Sequence, residues 1–473
     1  MDNLPTIQPR TRWIFAFAGL GKDAMFAMST IMLFYFNALL GISSAFLGTM
    51  MMIARIWDAV NDPIMGGIVS NTKSRFGKFR PWILIGSVLN GVVLIILFSN
   101  PSYGPNSLQM LAFVSVFYVL WGMTYTLMDI PFWSMIPALS QSQKEREKIT
   151  VLTRLFTSIG YFIIAAAFLD LASLLGGGTT EVARIQGFFI LSIIVAVVFI
   201  LSELFMVMNV KENVVVKEEE IITLKKMFQL LKQNDQLLVV MGVVLIANFT
   251  LYVTSGMAIY FITYDIGNEG LYIIFIGAGG ILQVIGSLMF PLLKIKLNRK
   301  GIFNVAMGLQ LLGFALLLVN AFVLSNVVFL LFAFGALIFL GQGFQMVLQT
   351  VLLSDTVEYG EFLTHQRSEA LAFSVQTFIV KLAMGLSLGV IGIGLALFQF
   401  ATPIEVNGEI ITQPQSAITL VGMRLLMFLV PMIGLSLSLW LFNKKHTLNE
   451  TRYEDIVRQL RARGEYDENL SSE

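Results

Sequence analysis

Apolar residues fall into twelve long runs along the chain, with short polar segments between them. Each run reaches or exceeds the roughly 20 residues that an α-helix needs to cross the hydrocarbon core of a bilayer. The pattern therefore predicts an all-α integral membrane protein with twelve transmembrane helices. The predicted helices cover residues 13–40, 43–70, 81–100, 109–139, 149–175, 184–209, 234–264, 270–293, 302–324, 327–354, 369–400 and 415–443.

The composition suits a chain that lies in a lipid bilayer. The 473 residues are 56% hydrophobic and 13% charged, with a mean hydropathy of +0.78, whereas about a quarter of the residues of a soluble domain are charged. The net charge of +1 gives no indication of a nucleic-acid partner. The sequence has no cysteine, and its two histidines, His365 and His446, lie in polar stretches. We therefore expect no thiolate metal site and no histidine-based catalytic triad in the membrane.

Basic residues alternate between the two sides of this predicted topology. Lys and Arg cluster after the second, fourth, sixth, eighth and twelfth helices, and the loops after the first, third, seventh, ninth and eleventh contain none. Because cytoplasmic loops carry an excess of Lys and Arg, both termini are predicted to be cytoplasmic. The first run is too long for the apolar region of a signal peptide and is interpreted as a spanning helix.

The longest polar break divides the chain into two halves of six predicted helices. Such a chain suggests the major facilitator architecture, in which two bundles rock around a site near the middle of the membrane; an unrelated twelve-helix fold is the alternative. The tail is expected to form a short solvated helix or a disordered end. The predicted domains are an N-terminal six-helix bundle (1–209), a cytoplasmic middle loop (210–233), a C-terminal six-helix bundle (234–443) and a cytoplasmic tail (444–473).

Eight charged residues lie inside the predicted helices. Each costs about 3 kcal/mol or more in the middle of a bilayer unless it is paired or hydrated. We therefore expect these side chains to face a shared polar cavity. Glu203, Asp170 and Arg424 lie near helix ends and are interpreted as interfacial. The eight are Lys22, Asp23, Arg55, Asp58, Asp62, Asp129, Arg154 and Lys381.

The second predicted helix carries its charges on one face. Arg55, Asp58 and Asp62 are spaced i, i+3 and i+7, and Asn61 lies on nearly the same side. Two carboxylates one turn apart repel each other unless a bound cation or a proton relieves the repulsion. This spacing favours a site for a hard monovalent cation. A static salt-bridge cluster with Arg55 and Lys381 is the alternative.

The fourth predicted helix has a face that suits a sugar. Tyr125, Asp129 and Trp133 are spaced i, i+4 and i+8, so a carboxylate can accept hydroxyl groups beside an indole on which a pyranose packs. An ordinary interfacial Trp is the alternative. Lys22 and Arg154 would donate to sugar oxygens or neutralise the carboxylates.

These residues occur in long motifs that resemble the glycoside–pentoside–hexuronide:cation symporter family of the major facilitator superfamily. The run on the fourth helix is similar to that of the melibiose permeases in this family. The motifs span the whole chain. They are GKD at 21–23, RIWDAVNDPIMG at 55–66, TKSRFGKFRPW at 72–82, WGMTYTLMDIPFWS at 121–134, ERE at 145–147, DTVEYGEF at 355–362 and SVQTFIVK at 374–381.

The resemblance implies a role for each matching residue. The expected cation site (Na+, Li+ or H+) consists of Asp58, Asn61, Asp62 and Thr126. The expected sugar site consists of Lys22, Asp23, Tyr125, Asp129, Trp133, Arg154, Gln376 and Thr377. The expected coupling residues are Arg55 and Lys381, and the expected cytoplasmic gate consists of Arg146, Asp355, Glu358 and Arg367.

The resemblance implies a symporter in the inner membrane of a bacterium that takes up a galactoside such as melibiose with a monovalent cation, as a monomer, without a cofactor and without catalysis. Thr30 and Met346 occupy positions near which melibiose permeases carry a tyrosine and a tryptophan. The resemblance therefore does not predict the identity of the second sugar unit of the substrate. One alternative is a carrier of the same fold for a glucuronide, a pentoside or a lysolipid. The other is a membrane-embedded hydrolase with paired aspartates as acid and base, although the sequence has no nucleophile motif.

Overall fold

The chain is almost entirely helical, and the predicted all-α fold is confirmed. The computed structural model describes residues 7–72, 74–101, 103–140, 142–212, 224–324, 326–365, 369–406, 409–411 and 413–463. The first helices are α1 (Pro9–Phe34), α2 (Ser44–Ser70), α3 (Arg80–Leu97), α4 (Leu108–Leu139), α5 (Gln143–Gly176) and α6 (Glu181–Asn209). They are followed by α7 (Leu224–Gln233), α8 (Asp235–Tyr260), α9 (Gly270–Lys296), α10 (Arg299–Phe322), α11 (Val328–Thr364), α12 (Glu369–Leu397), α13 (Ala417–Arg424), α14 (Val430–Lys445) and α15 (Glu450–Ala462).

A small hairpin is the one departure from helix among the regular elements of the described residues. Its strands, β1 (Ile404–Val406) and β2 (Glu409–Ile411), pair antiparallel in the segment between α12 and α13. Three short π-helical segments extend or join helices. They are Tyr35–Leu39 after α1, Phe261–Ile266 after α8 and Leu425–Leu429 between α13 and α14.

Eleven spans in the described part of the chain are long and apolar enough to cross a membrane. They correspond to eleven of the twelve predicted helices, and α2 corresponds to the remaining one. The 27 residues of α2 are long enough to span, but Arg55, Asp58 and Asp62 lower its hydropathy. The one predicted span outside these eleven is therefore the helix that carries Asp58, Asn61 and Asp62.

Helix α11 is longer than its apolar run, and the tail packs against its end. It continues to Thr364, whereas the run ends at about residue 354. Tyr359 on this extension forms an apolar cluster with Leu448, Ile456 and Leu460. Of the two expectations for the tail, a helix holds for Glu450–Ala462, because its few apolar residues lie on one face and pack on α11.

The chain divides into two compact units. The first consists of residues 1–221 and 392–416, and the second of residues 222–391 and 417–473. Within the first, α1 packs against α5 and α6, α3 packs against α4 and α6, and α2 packs against α4. Within the second, α11 packs against α9 and α10, and α14 packs against α8. The predicted limits of the bundles, the middle loop and the tail stay predictions.

Two glycines let α1 approach its neighbours closely next to Lys22. A Cβ atom on Gly160 of α5 would lie 2.1 Å from the carbonyl oxygen of Leu20. A Cβ atom on Gly21 would lie 2.3 Å from the Oγ of Ser202 on α6. Both distances are shorter than any van der Waals contact, so only glycine fits. Close packing of α5 and α6 against α1 therefore fixes the backbone position of Lys22.

Candidate functional site

Asp58 and Asp62 lie where α2 packs against α4. Asp58 is buried, and the Nη1 of Arg55 donates to its Oδ2 at 3.1 Å. Asp62 is half-buried, and its Oδ1 accepts from the Oγ1 of Thr126 at 3.2 Å. Asn61 is buried beside them, and its Nδ2 has no hydrogen-bond partner within the described ranges. The predicted cation residues of α2 and α4 are thus brought together in part, through the bond between Asp62 and Thr126.

The contacts of this cluster include one ion pair within α2 and one hydrogen bond between the helices. Arg55 pairs with Asp58, as a salt-bridge cluster requires. Asp62 accepts a hydrogen bond from the neutral hydroxyl of Thr126. Among the described residues, no group of three or more His, Cys, Asp or Glu side chains could hold a metal ion. A cation here would use two carboxylates with amide and hydroxyl oxygens.

Gly122 on α4 allows this approach of the two helices. A Cβ atom at Gly122 would lie 2.4 Å from the Oδ1 of Asp58 and 2.8 Å from its Oδ2. Any larger residue would push the carboxylate away from α4. Reasoning from the sequence missed Gly122, because its spacing does not show which neighbour it faces.

Lys22 is the centre of the second cluster. Its buried Nζ lies 2.7 Å from the Oδ1 of Asp129 and 2.8 Å from the Oδ1 of Asp23, and it donates to the hydroxyl of Tyr125 at 3.0 Å. An ammonium group has three N–H donors, and three acceptors surround it here. The carboxylates remain accessible, with 21% of the Asp23 side chain and 27% of the Asp129 side chain exposed.

Trp133 covers one side of this cluster. The Nζ of Lys22 lies 5.2 Å from the centre of its ring, and the guanidinium carbon of Arg154 lies 4.2 Å from it. Two cations against one indole are favourable cation–π contacts. The predicted sugar residues of α1, α4 and α5 are therefore close together. They combine exposed acceptors, a guanidinium and an aromatic face, which are the groups that a carbohydrate site needs.

An aromatic chain along α4 joins the two clusters. The guanidinium carbon of Arg55 lies 5.4 Å from the centre of the Trp121 ring, and that ring stacks on Tyr125 at 5.7 Å. Tyr125 in turn contacts Lys22. Reasoning from the sequence missed Trp121 as a site residue. Its signal was present, since it lies four residues before Tyr125 on the face that continues to Asp129 and Trp133.

Three of the residues predicted for the sugar site or for coupling belong to the second unit. Gln376 and Lys381 are half-buried on α12, and Thr377 is exposed. The Oγ1 of Thr377 donates to the carbonyl oxygen of Phe373 on its own helix, at 3.1 Å. The predicted place of these three side chains in a sugar pocket, or between two sites, stays a prediction.

Two of the four residues predicted to form a cytoplasmic gate have a hydrogen bond within their own unit. The Nε of Arg146 donates to the carbonyl oxygen of Ser140 at 2.8 Å. Asp355 is buried and accepts from the Nη2 of Arg299 at 2.9 Å. Glu358 is half-buried on α11. Arg367 lies outside the described residues. The gate stays a prediction.

The two positions that depart from the melibiose permeases lie on different helices. Thr30 is half-buried on α1, and its Oγ1 donates to the carbonyl oxygen of Ala27 at 2.7 Å. Met346 on α11 is 62% exposed.

Of the three acidic or basic residues interpreted as interfacial, only Asp170 is exposed. The interpretation is wrong for Glu203, whose side chain is fully buried although it lies near the end of α6. Arg424 forms a bidentate ion pair with Asp265, donating from its Nε at 2.9 Å and from its Nη2 at 2.8 Å. The side chain of Asp265 is buried. A position near a helix end does not show whether a side chain faces a neighbouring helix.

Known proteins similar to this chain are transporters. Residues 14–444 match the family described as MFS/sugar transport protein. The raffinose carrier protein of Pediococcus pentosaceus is 28% identical over 469 residues, which cover 95% of this chain and 71% of that protein. The isoprimeverose transporter of Lactiplantibacillus pentosus is 27% identical over 413 residues, which cover 87% of this chain and 83% of that protein.

A solved structure supports the fold. The crystal structure of a bacterial homologue of the human lysosomal transporter Spinster has a TM-score of 0.69 and covers 95% of this chain and 99% of its own, at 13% identity. At that identity the likeness shows the fold alone. The predicted major facilitator fold is thus confirmed, and the family match extends over both units. The chain belongs to the MFS/sugar transport protein family.

Proposed function

We propose that the protein is a symporter that couples the uptake of a galactoside to a monovalent cation by alternating access, and that melibiose is among its substrates. The observation that supports this most is that α4 carries both clusters. Thr126, bonded to Asp62, lies one turn from Asp129, which is paired with Lys22. A cation that reorders the first cluster can therefore change the position of a carboxylate in the second.

The sugar cluster favours a neutral carbohydrate. Asp23 and Asp129 are acceptors for hydroxyl donors, and they would repel an anionic cargo such as a glucuronide. The raffinose carrier supports a galactoside, because raffinose ends in a galactosyl unit. Trp133 offers the flat apolar surface on which the ring of such a unit packs.

The cation cluster favours a small hard ion or a proton. Its ligands would be carboxylate, amide and hydroxyl oxygens, which suit sodium or lithium. They come from Asp58, Asp62, Asn61 and Thr126. A proton on either carboxyl would relieve the same repulsion. The cation is cargo in this proposal, as is the sugar.

A pentoside is the second candidate substrate. The isoprimeverose transporter supports it, because isoprimeverose contains a xylosyl unit. A xylosyl ring lacks the hydroxymethyl group of a galactosyl ring, so it needs fewer polar contacts. We favour the galactoside because two partly exposed carboxylates, a guanidinium and an ammonium are available for hydroxyl groups.

Uptake by membrane vesicles tests the proposal. Labelled melibiose, raffinose, lactose, isoprimeverose and a glucuronide would be offered with sodium, with lithium, or with a proton gradient alone. We expect a galactoside to accumulate unchanged with at least one cation. Accumulation of the glucuronide alone, cation-independent uptake, or hydrolysis products of the sugar would contradict the proposal.

The membrane location and the topology are part of the same proposal. We place the protein in the cytoplasmic membrane of a bacterium, with both termini in the cytoplasm and one chain sufficient for transport. Protease protection of tags at the two termini in oriented vesicles tests the topology. A tag cleaved from the periplasmic side would contradict it.

A further inference from the structure

Glu203 on α6 lies beside the sugar cluster, and the proposed mechanism does not use it. Its side chain is 0% exposed. Neither of its carboxyl oxygens has a hydrogen-bond partner in the part of the chain that the structure describes. Its charge interactions are with Lys22 and Asp129. The close contact between Gly21 and Ser202, the residue before Glu203, brings α6 to this point of α1.

The ammonium group of Lys22 contacts other acceptors and forms no ion pair with the buried carboxyl group of Glu203. The ammonium group donates to Asp23 and Tyr125, and its Nζ lies 2.7 Å from the Oδ1 of Asp129. Neither oxygen of Glu203 accepts a hydrogen bond from it. An ionised carboxylate without a partner is strongly disfavoured in a buried site, which favours the protonated form of Glu203.

We propose that Glu203 is the alternative partner of Lys22, and that the ammonium group moves to it when a sugar binds. The inference rests on the proposed sugar site. Hydroxyl groups of the sugar donate to Asp23 and Asp129 and so replace two of the three contacts of Lys22. Glu203 then releases its proton to water in the pocket, and its carboxylate accepts from the ammonium group. Each sugar molecule bound releases one proton.

The other charged groups on the helices packed against α6 have contacts of their own. Arg80 on α3 donates through its Nε to the carbonyl oxygen of Val207 at 2.9 Å. On α5, Arg154 lies on Trp133, and Asp170 is exposed. The remaining charged residues of α5 lie in its first turns, around residues 143–148. The charged groups that interact with Glu203 are therefore Lys22 on α1 and Asp129 on α4.

Proton counting by calorimetry tests this exchange. Melibiose, raffinose and isoprimeverose would be titrated into the purified protein at saturating sodium, in buffers of different ionisation heat, so that protons at the cation site do not contribute. For the wild type we expect release of up to one proton per sugar and an affinity that rises with pH, by at most about tenfold per pH unit. For Glu203→Gln we expect no release and no such pH dependence. The same proton release and pH profile in both proteins would overturn the inference.

Matched variants separate this role from a structural one. Ser192→Ala removes another buried polar group from α6 and should keep the wild-type proton release. Glu203→Asp keeps a carboxyl group and should restore release. Loss of release in Ser192→Ala as well would indicate general damage to α6 and contradict a specific role of Glu203.

Infrared spectroscopy tests the protonation of Glu203 separately from the proposed function. A buried protonated carboxyl group gives a C=O band that should shift in Glu203→Asp and vanish in Glu203→Gln. Absence of any such band in the wild type would overturn the inference, whichever sugar binds. If the band is present but none of the three sugars binds, the proposed function fails, and the exchange that rests on it fails with it.

Discussion

The ammonium group of Lys22 holds the acceptors of the sugar cluster in place. Three acceptors lie within 3.0 Å of its Nζ, and the residue is buried. Hydrogen bonds between charged groups are roughly twice as strong as neutral ones. In the proposed sugar site, Asp23, Asp129 and Tyr125 are therefore positioned before a sugar binds, which would lower the entropy cost of binding.

Replacement of Asp129 by alanine should weaken sugar binding. The change removes an acceptor for a sugar hydroxyl and leaves Lys22 with one acceptor fewer, at a cost of about 1–3 kcal/mol. Sugar affinity should fall by about tenfold to a hundredfold, measured by calorimetry in detergent. Asp170→Ala, which removes an exposed carboxylate from α5, is the control. Unchanged affinity in Asp129→Ala would refute the assignment of this carboxylate.

Replacement of Asp62 by cysteine should separate sugar binding from cation binding. Thr126 would lose its contact with α2, and one of the two carboxylates of the cation cluster would be gone. Cation-driven accumulation should stop, while exchange of sugar across the membrane continues, because the Lys22 cluster is intact. Transport assays with and without a sodium gradient measure both. Accumulation at the wild-type level would contradict the cation assignment.

At the scale of elements, α4 contributes to both clusters. Trp121, Tyr125, Asp129 and Trp133 recur every four residues along one face. Trp121 is fully buried and lies between Arg55 and Tyr125. Spatial continuity alone does not demonstrate energetic coupling, so the role of this face needs a direct measurement.

Replacement of Trp121 by leucine should reduce the effect of the cation on sugar affinity. The aromatic contacts to Arg55 and Tyr125 disappear, and a cavity remains. Trp121→Phe keeps an aromatic ring and serves as the matched variant. The ratio of sugar affinities with and without sodium should fall in Trp121→Leu more than in Trp121→Phe. Equal ratios in the two variants and the wild type would show that this face carries no coupling.

Replacement of Gly122 by alanine should lower cation affinity. The new Cβ atom would lie 2.4 Å from the Oδ1 of Asp58, so α2 or the carboxylate must move. Such overpacking costs about 1–3 kcal/mol, which we expect to appear as a lower melting temperature and weaker sodium binding. Gly66→Ala on α2 is a matched control, because nothing lies within 4 Å of its Cβ position. Equal effects of the two substitutions would contradict a specific contact at Gly122.

The helices were largely predictable from the sequence. The face that each helix packs against its neighbours was not. Length and hydropathy predict the helices because the bilayer imposes both. The extension of α11 to Thr364 and the tail helix were not fixed by that rule, since they are amphipathic or polar. Neutralisation of Asp23 and Asp129 was one of two roles that the sequence left open for Lys22, and the contacts of its ammonium group agree with that role. The burial of Glu203 and the contact at Gly122 depend on which faces of the helices meet, and spacing within one helix does not contain that information.

For the protein as a whole, the family and the fold are confirmed. The coupling between the sugar and the cation is proposed. The family match and the fold extend over both units. The first unit contains both clusters, so the linkage between cation and sugar is expected to reside largely in α1, α2 and α4. Coupling of this kind must be reciprocal: each ligand changes the affinity of the other by the same factor.

Reciprocal binding of sodium and melibiose to the purified wild-type protein tests that claim most directly. The affinity for melibiose would be measured at zero and at saturating sodium, and the affinity for sodium at zero and at saturating melibiose, with lithium and pH series alongside. We predict that each ligand tightens binding of the other by one common factor, of about fivefold or more. A melibiose affinity that does not respond to sodium, lithium or pH would contradict the account.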